Sequence, residues 1–185
     1  MGLLSDSTSS LVAARDIYRG RIVHLRLEEV TLPNGKTTTL EVVRHRGAAA
    51  IVAVDEDQSV VLIRQFRHAA GGFLWEVPAG VVEPSETSLD CARRELEEET
   101  GLCADEWVSL GSIITAPGFC DERIGLFLAT QLRETKQRLD ADEVLSVSRV
   151  PLRDAMKMIA AGEICDGKSV AALHHTWMRL GSARP

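Results

Sequence analysis

Residues 80–102 read GVVEPSETSLDCARRELEEETGL. From Thr87 to Thr100 there is no Gly or Pro, and Glu, Leu, Ala and Arg, all good helix formers, predominate. Pro84 and Ser85 precede this run and Gly101 follows it, so the spacing predicts a helix with a marked start and stop. Leu89, Ala92 and Leu96 recur at helical spacing and form its buried stripe. Glu95, Glu98 and Glu99 stand three and four positions apart, so their carboxylates project from one face. Such carboxylates repel one another by about 0.2–0.5 kcal/mol per exposed pair. A divalent cation reverses that sign. Oxygen ligands on one helix, with room for water, suit Mg²⁺, or Mn²⁺ in its place, together with a phosphate-bearing substrate.

A run of Glu alone would read as a solvated helix face. Here it sits inside a longer pattern: Gly80, Glu86, Arg94-Glu95-Leu96, Glu98-Glu99 and Gly101-Leu102. At ordinary residue usage that pattern arises by chance in a chain of this length with a probability of ~10⁻⁷. Arg94 and Glu86 read as an ion pair bracing the preceding loop against the helix. Gly80 lets backbone approach the carboxylates, and Gly101 closes the helix.

The chain has 185 residues, 45% of them hydrophobic, enough for one compact domain with a proper core. Its formal charge is −6 and its pI about 5.4, and no basic patch marks a nucleic-acid surface. Cys91, Cys103, Cys120 and Cys165 are irregularly spaced with no CxxC, so reduced, mostly buried thiols are expected. No secretory leader and no apolar run of about 18 residues is present, which points to a cytoplasmic protein without a membrane span.

Residues 1–14, small and Ser-rich, read as a flexible tail. Two β segments flanking Pro33-Asn34-Gly35-Lys36 predict a hairpin, placing an N-terminal β extension at 15–46. Further strands are expected at 48–54, 60–66, 107–115, 124–131 and 145–150. A helix beginning with Pro151 and another over about 168–180 complete the chain. The pattern predicts an α/β/α sandwich around a mixed β-sheet, with 47–185 as one catalytic domain.

The Gly80–Leu102 pattern resembles the Nudix box at every defining position, and the flanks resemble the ADP-ribose pyrophosphatase-like branch of Nudix hydrolases. Beyond the box, the resemblance rests on the N-terminal segment from Ile17 to Val43, on Arg64-Gln65-Phe66-Arg67 followed by Trp75-Glu76-Val77-Pro78-Ala79, on Pro117, and on Leu139-Asp140-Ala141-Asp142-Glu143. It implies metal-dependent hydrolysis of ADP-ribose to AMP and ribose 5-phosphate. It leaves open GDP-mannose or mixed nucleoside diphosphate sugars as substrates and, more distantly, a non-catalytic ADP-ribose sensor. It also implies a homodimer that exchanges the N-terminal segment.

By the same resemblance, two or more metal ions about 3.5–4 Å apart would neutralise the diphosphate and acidify a water. Their ligands would be Glu95, Glu98 and Glu99 with the carbonyl of Ala79. Glu143 would be the base, with Asp140 and Asp142 as neighbours that could take its place. Arg64 and Arg67 could bind phosphate, but three positions apart on a strand they face opposite sides, and the resemblance favours Arg67. Glu76 would meet a nucleobase or ribose edge, or else pair with Arg67. Pro117, Gly118 and Phe119 would line the terminal ribose, with Glu122 accepting from a hydroxyl.

Overall fold

The computed structural model describes residues 9–181, whose contacts divide into two units. The first comprises the chain up to Arg46 together with Ile114–Glu122. It contains an antiparallel sheet of β1 (Ser10–Arg19), β2 (His24–Thr31) and β3 (Thr37–Arg44), in that order. The β2–β3 hairpin turns where Asn34-Gly35 predicts. Gly35 adopts φ +78°, and its N–H donates to Leu32 O at 2.9 Å. β1 begins at Ser10, inside the stretch expected to be a tail, because backbone pairing with β2 from Ser10↔Thr31 onward needs no apolar pattern. The rest of the expected tail, 1–8, lies outside the described residues.

Ile114–Glu122, expected within the catalytic domain, is tied to β3 instead. Val43 N–H donates to Phe119 O at 2.7 Å, Asp121 N–H to Val43 O at 3.2 Å, and His45 N–H to the Asp121 carboxylate at 2.8 Å.

The second unit comprises Gly47–Ile113 and the chain from Arg123 onward. Its elements are β4 (Ala48–Ala53), β5 (Ser59–Arg67), β6 (Gly72–Glu76), β7 (Ala79–Val81), α1 (Ser88–Thr100), β8 (Leu102–Ile114), β9 (Arg123–Glu134), β10 (Leu145–Pro151), α2 (Leu152–Ala160) and α3 (Gly167–Gly181). A mixed sheet runs β7-β4-β9-β8, with β4 and β9 parallel, and an antiparallel sheet runs β10-β5-β6. β4, AAAIVA, is buried at every residue. Its alternate side chains enter two cores. Ala48, Ala50 and Val52 meet Leu126, Leu128 and the α2–α3 residues Leu152, Ala155, Ala172 and Leu173. Ala49, Ile51 and Ala53 meet Cys91, Ala92 and Leu96 of α1. Helices therefore cover both faces, giving the expected α/β/α layers. Small residues along β4 let α1 approach the sheet closely, which brings the helix's acidic face near β7.

Two sequence expectations change in detail. Leu89 is only partly buried, and Cys91 completes the stripe with Ala92 and Leu96. Pro151 ends β10 opposite Ser59 and caps α2 from outside, since its ψ of 133° is extended rather than helical. The thiols are free, but only Cys91 is fully buried, and Cys165 is exposed. No helix of the described residues is long and apolar enough to cross a membrane.

α1 is closed at its C-terminal end as its sequence predicts, and begins at Ser88, one residue later than expected. Thr87 caps it, accepting from Asp90 N–H at 3.1 Å, and Gly101 ends it at φ +69°, donating to Glu97 O at 2.9 Å. A Cβ at Gly101 would lie 2.9 Å from Gln137 N. Gly101→Ala is therefore expected to cost at least ~1–2 kcal/mol, the usual left-handed penalty, read as a lower urea midpoint at unchanged slope. An unshifted midpoint would contradict this closure.

Candidate active site

Arg94 organises the acidic face of α1. Its Nε and Nη2 grip Glu86 at 2.9 and 3.1 Å, bracing the loop as the sequence predicts, and Nη2 also donates to Val81 O at 3.2 Å. Nη1 reaches Glu95 at 2.6 Å and Glu98 at 3.1 Å. The fork from Arg94 holds the Glu86 carboxyl below its ordinary range, and the Glu86 bond in turn keeps the guanidinium protonated. Glu95 is buried against Gly80, where any Cβ would overlap its carboxylate. A side chain at position 80 would thus displace the Glu95 carboxylate, as expected for a backbone brought close to the acidic face.

Glu99 is 1% exposed, and its carboxylate accepts from Ala79 N–H at 2.9 Å. Burial pushes its pKa up to about 8; the Ala79 bond opposes the shift, and Glu95 and Glu143 add to it. Burial also raises Glu95, against Arg94, with Glu98 and Glu143 again adding. Glu143 is therefore electrically coupled to both. It is partly buried, whereas Asp140 and Asp142 are exposed.

That loop is strapped to the end of α1, where helix carbonyls lack internal partners. Arg138 N–H donates to Glu98 O at 2.9 Å, Gln137 Nε2 to Glu99 O at 2.6 Å, and Thr135 N–H to Gly101 O at 2.7 Å. Asp140 N–H donates to Glu143 Oε2 at 3.0 Å, and Phe66 N–H to Val144 O at 2.9 Å, anchoring the loop's far end to β5.

Arg67 and Glu76 take the paired arrangement left open by the sequence. Nε and Nη2 of Arg67 donate to Glu76 at 3.0 and 2.9 Å, and Lys168 Nζ also binds Glu76, which is 1% exposed. Arg64 points the other way, as the alternation predicts, over the rings of Phe73 and Trp75 at 5.6 and 5.9 Å. The sequence reading missed Lys168, Asp166 and Ser169. Asp166 caps α3, accepting from Ser169 N–H at 3.0 Å, and Ser169 Oγ receives Val77 N–H at 2.9 Å. Asp166 ahead of a helical run was a visible capping signal; the reach to β6 was not.

In the first unit, Pro117, Gly118 and Phe119 form an exposed turn, with Phe119 N–H donating to Ala116 O at 3.1 Å. Glu122 is partly buried and accepts from Thr115 Oγ1 at 2.9 Å.

Among the described residues, no three His, Cys, Asp or Glu side chains form a ready-made ion site. The contacts give the reason: Arg94 draws Glu95 and Glu98 to itself, and Glu99 turns to Ala79. The donor set still fits a hard divalent cation. It is all oxygen, it gathers like charges that burial makes costly, and Gly80 leaves open the space that its carboxylates occupy.

The NUDIX domain family matches residues 43–173. The chain is 38% identical to an ADP-ribose pyrophosphatase of Bacillus subtilis, across 91% of this chain and 92% of that one. It is 37% identical to a methanol dehydrogenase activator of Bacillus methanolicus, across 89% and 90%. With an ADP-ribose pyrophosphatase of Mycobacterium tuberculosis it shares 36% identity, across 94% and 87%. A crystal structure of an ADP compounds hydrolase superposes over all of both chains with a TM-score of 0.82 at 23% identity, a likeness of fold.

Raised by burial, Glu99 keeps a proton in the folded protein between about pH 4.5 and about 8, where the unfolded chain has lost it. Metal-free stability should therefore fall as pH rises through that window. A divalent cation that binds the ionised, folded form should restore it, most strongly at the alkaline end. Melting temperatures in chelator, with and without Mg²⁺, should show the slope in wild type and a weaker one in Glu99→Gln. Identical slopes in the two proteins would remove Glu99 as the source.

Proposed function

The chain belongs to the Nudix family and is one of its pyrophosphohydrolases; from that premise we propose that it cleaves the diphosphate of ADP-ribose, giving AMP and ribose 5-phosphate. The observation that carries the reading is the strapping of the Glu143 loop to the end of α1, whose intact box carries the buried Glu95 and Glu99. The substrate is favoured by similarity to ADP-ribose pyrophosphatases over some nine tenths of the chain.

Glu95, Glu98, Glu99 and the Ala79 carbonyl would hold divalent cation, Mg²⁺ first and Mn²⁺ as substitute, which when bound neutralises diphosphate charge and acidifies a water. Glu99, neutral below about pH 8 without that charge, gives up its proton as the site fills. Glu143 takes the proton of the attacking water. Arg67 uses Nε and Nη2 on Glu76 and offers Nη1 to the diphosphate. With both carboxylate oxygens engaged, Glu76 serves the substrate through Arg67 rather than by direct contact. Arg64 is a second phosphate candidate. Pro117, Gly118 and Phe119 are assigned to the terminal ribose, with Glu122 accepting from its hydroxyl.

The N-terminal sheet favours a homodimer, as β1 is exposed throughout and Leu11, Val12, Ile17 and Tyr18 on it are uncovered. The reading places the active protein in the cytoplasm, acting on a nucleoside diphosphate sugar.

Glu98→Gln, at the less buried end of the acidic face, should lower turnover by several orders of magnitude while leaving the fold intact by circular dichroism. Near-normal turnover in a folded variant would sink the metal assignment. ADP-ribose should be preferred over GDP-mannose, UDP-glucose and NADH in a Mg²⁺ panel; preference for GDP-mannose would transfer the mechanism to another sugar. Light scattering at micromolar concentration should give twice the chain mass of 20.2 kDa, and a monomer would refute the dimer.

A further inference from the structure

Gln65 on β5 is 4% exposed, and its Oε1 is buried with no hydrogen-bond partner. A buried amide oxygen without a donor is costly, and native structures keep few of them. This one stands next to the site. Strand alternation puts Ile63, Gln65 and Arg67 on one face of β5 and Arg64 and Phe66 on the other. The register sets Glu76 of β6 beside Ile63, Leu74 of β6 beside Gln65, and Leu145 of β10 on its other flank. Gln65 therefore shares a face with the Arg67–Glu76 pair and adjoins a strand that starts two residues after Glu143. On the same face, Val61 belongs to the core that includes Cys91, Ala92 and Leu96 of α1, so this side of the sheet looks toward the acidic helix. The Phe66–Val144 bond, at 2.9 Å, fixes the Glu143 loop to the residue following Gln65.

We propose that Gln65 is a positioning residue for the attacking water, its Oε1 accepting one of the water's hydrogens while Glu143 faces the other. This rests on the hydrolysis assigned above. Oxygen of that water bonds to phosphorus, the bridging P–O bond breaks with its electron pair leaving on the departing phosphate, and the proton lost by the water goes to Glu143. The second hydrogen stays bonded to the attacking oxygen, and its hydrogen bond to Gln65 Oε1 keeps the lone pair directed at phosphorus. An amide does not titrate in the working pH range, so it can hold the water without competing for its proton. A carboxylate there would add a further charge beside Glu95, Glu99 and Glu143.

The test uses full-length wild type, Gln65→Met and Gln65→Leu with ADP-ribose and Mg²⁺, alongside melting of the metal-free proteins. Removing the amide should lower kcat by roughly 10–100-fold, with KM within about twofold and the inflections of the pH profile unmoved. Melting temperature should be equal to or above wild type, because an unsatisfied buried oxygen has gone. Unchanged kcat overturns the proposal. So does loss of kcat together with a clear fall in melting temperature in both variants, which would make Gln65 structural. A raised KM at normal kcat would make it a substrate ligand and overturns the water role. Wild type inactive on every diphosphate would instead defeat the assigned function, and this inference with it; an active wild type confines any failure to Gln65.

Discussion

Arg94 holds the site together, because it is the cation around which the carboxylates of α1 can be packed. Its planar fork matches Glu86, and the remaining nitrogen reaches Glu95 and Glu98. Lysine could not substitute, having a point charge and no fixed fork. The same side chain touches Val81 O, so the loop, β7 and the helix face are set by one residue. Without it, Glu95 would be a buried charge with no partner, which is far more costly than an exposed one.

Positioning of the carboxylates then follows from packing. Alternation along β4 separates two cores, and its alanines let α1 lie close to the sheet. Closeness brings Glu95 onto Gly80 and Glu99 onto the Ala79 amide. The segment after β9 satisfies the free carbonyls at the end of α1, and in doing so delivers Glu143 to the same place. A requirement of helix chemistry thus also fixes where the Glu143 loop lies relative to the acidic face of α1.

Much of this was legible in the sequence, wherever the cause was local. The stop at Gly101, the Arg94–Glu86 pair and the shared face of Glu95, Glu98 and Glu99 all follow from short spacings. The opposite faces of Arg64 and Arg67 follow from strand alternation alone. What stayed hidden depends on partners distant in the chain. Glu76 could not be assigned without knowing that Lys168 arrives from α3. Ile114–Glu122 could not be placed on β3, since nothing in its composition announces Val43 as a partner. β1 escaped notice from Ser10 to Ala14 because backbone pairing, not side-chain pattern, holds it.

Some of the energetic conflicts of the fold lie at the site. A protein selected only for stability would not bury Glu99 with a raised pKa beside Glu95 and Glu143, or leave the Gln65 oxygen without a donor. Elsewhere in the second unit Glu76 is answered by Arg67 and Lys168, and Ser169 by Asp166 and Val77, while Ser88 Oγ and Thr176 Oγ1 are also buried without a partner. Sequences that fold well are locally consistent, and exceptions cluster where function demands them. Here the exceptions share a chemical sense. Buried carboxylates of like charge favour a divalent cation, and an acceptor without a donor favours a donor hydrogen. On the proposed reading, cation, diphosphate and water would together supply what each group lacks, as in a site preorganised for a charged, hydrated substrate.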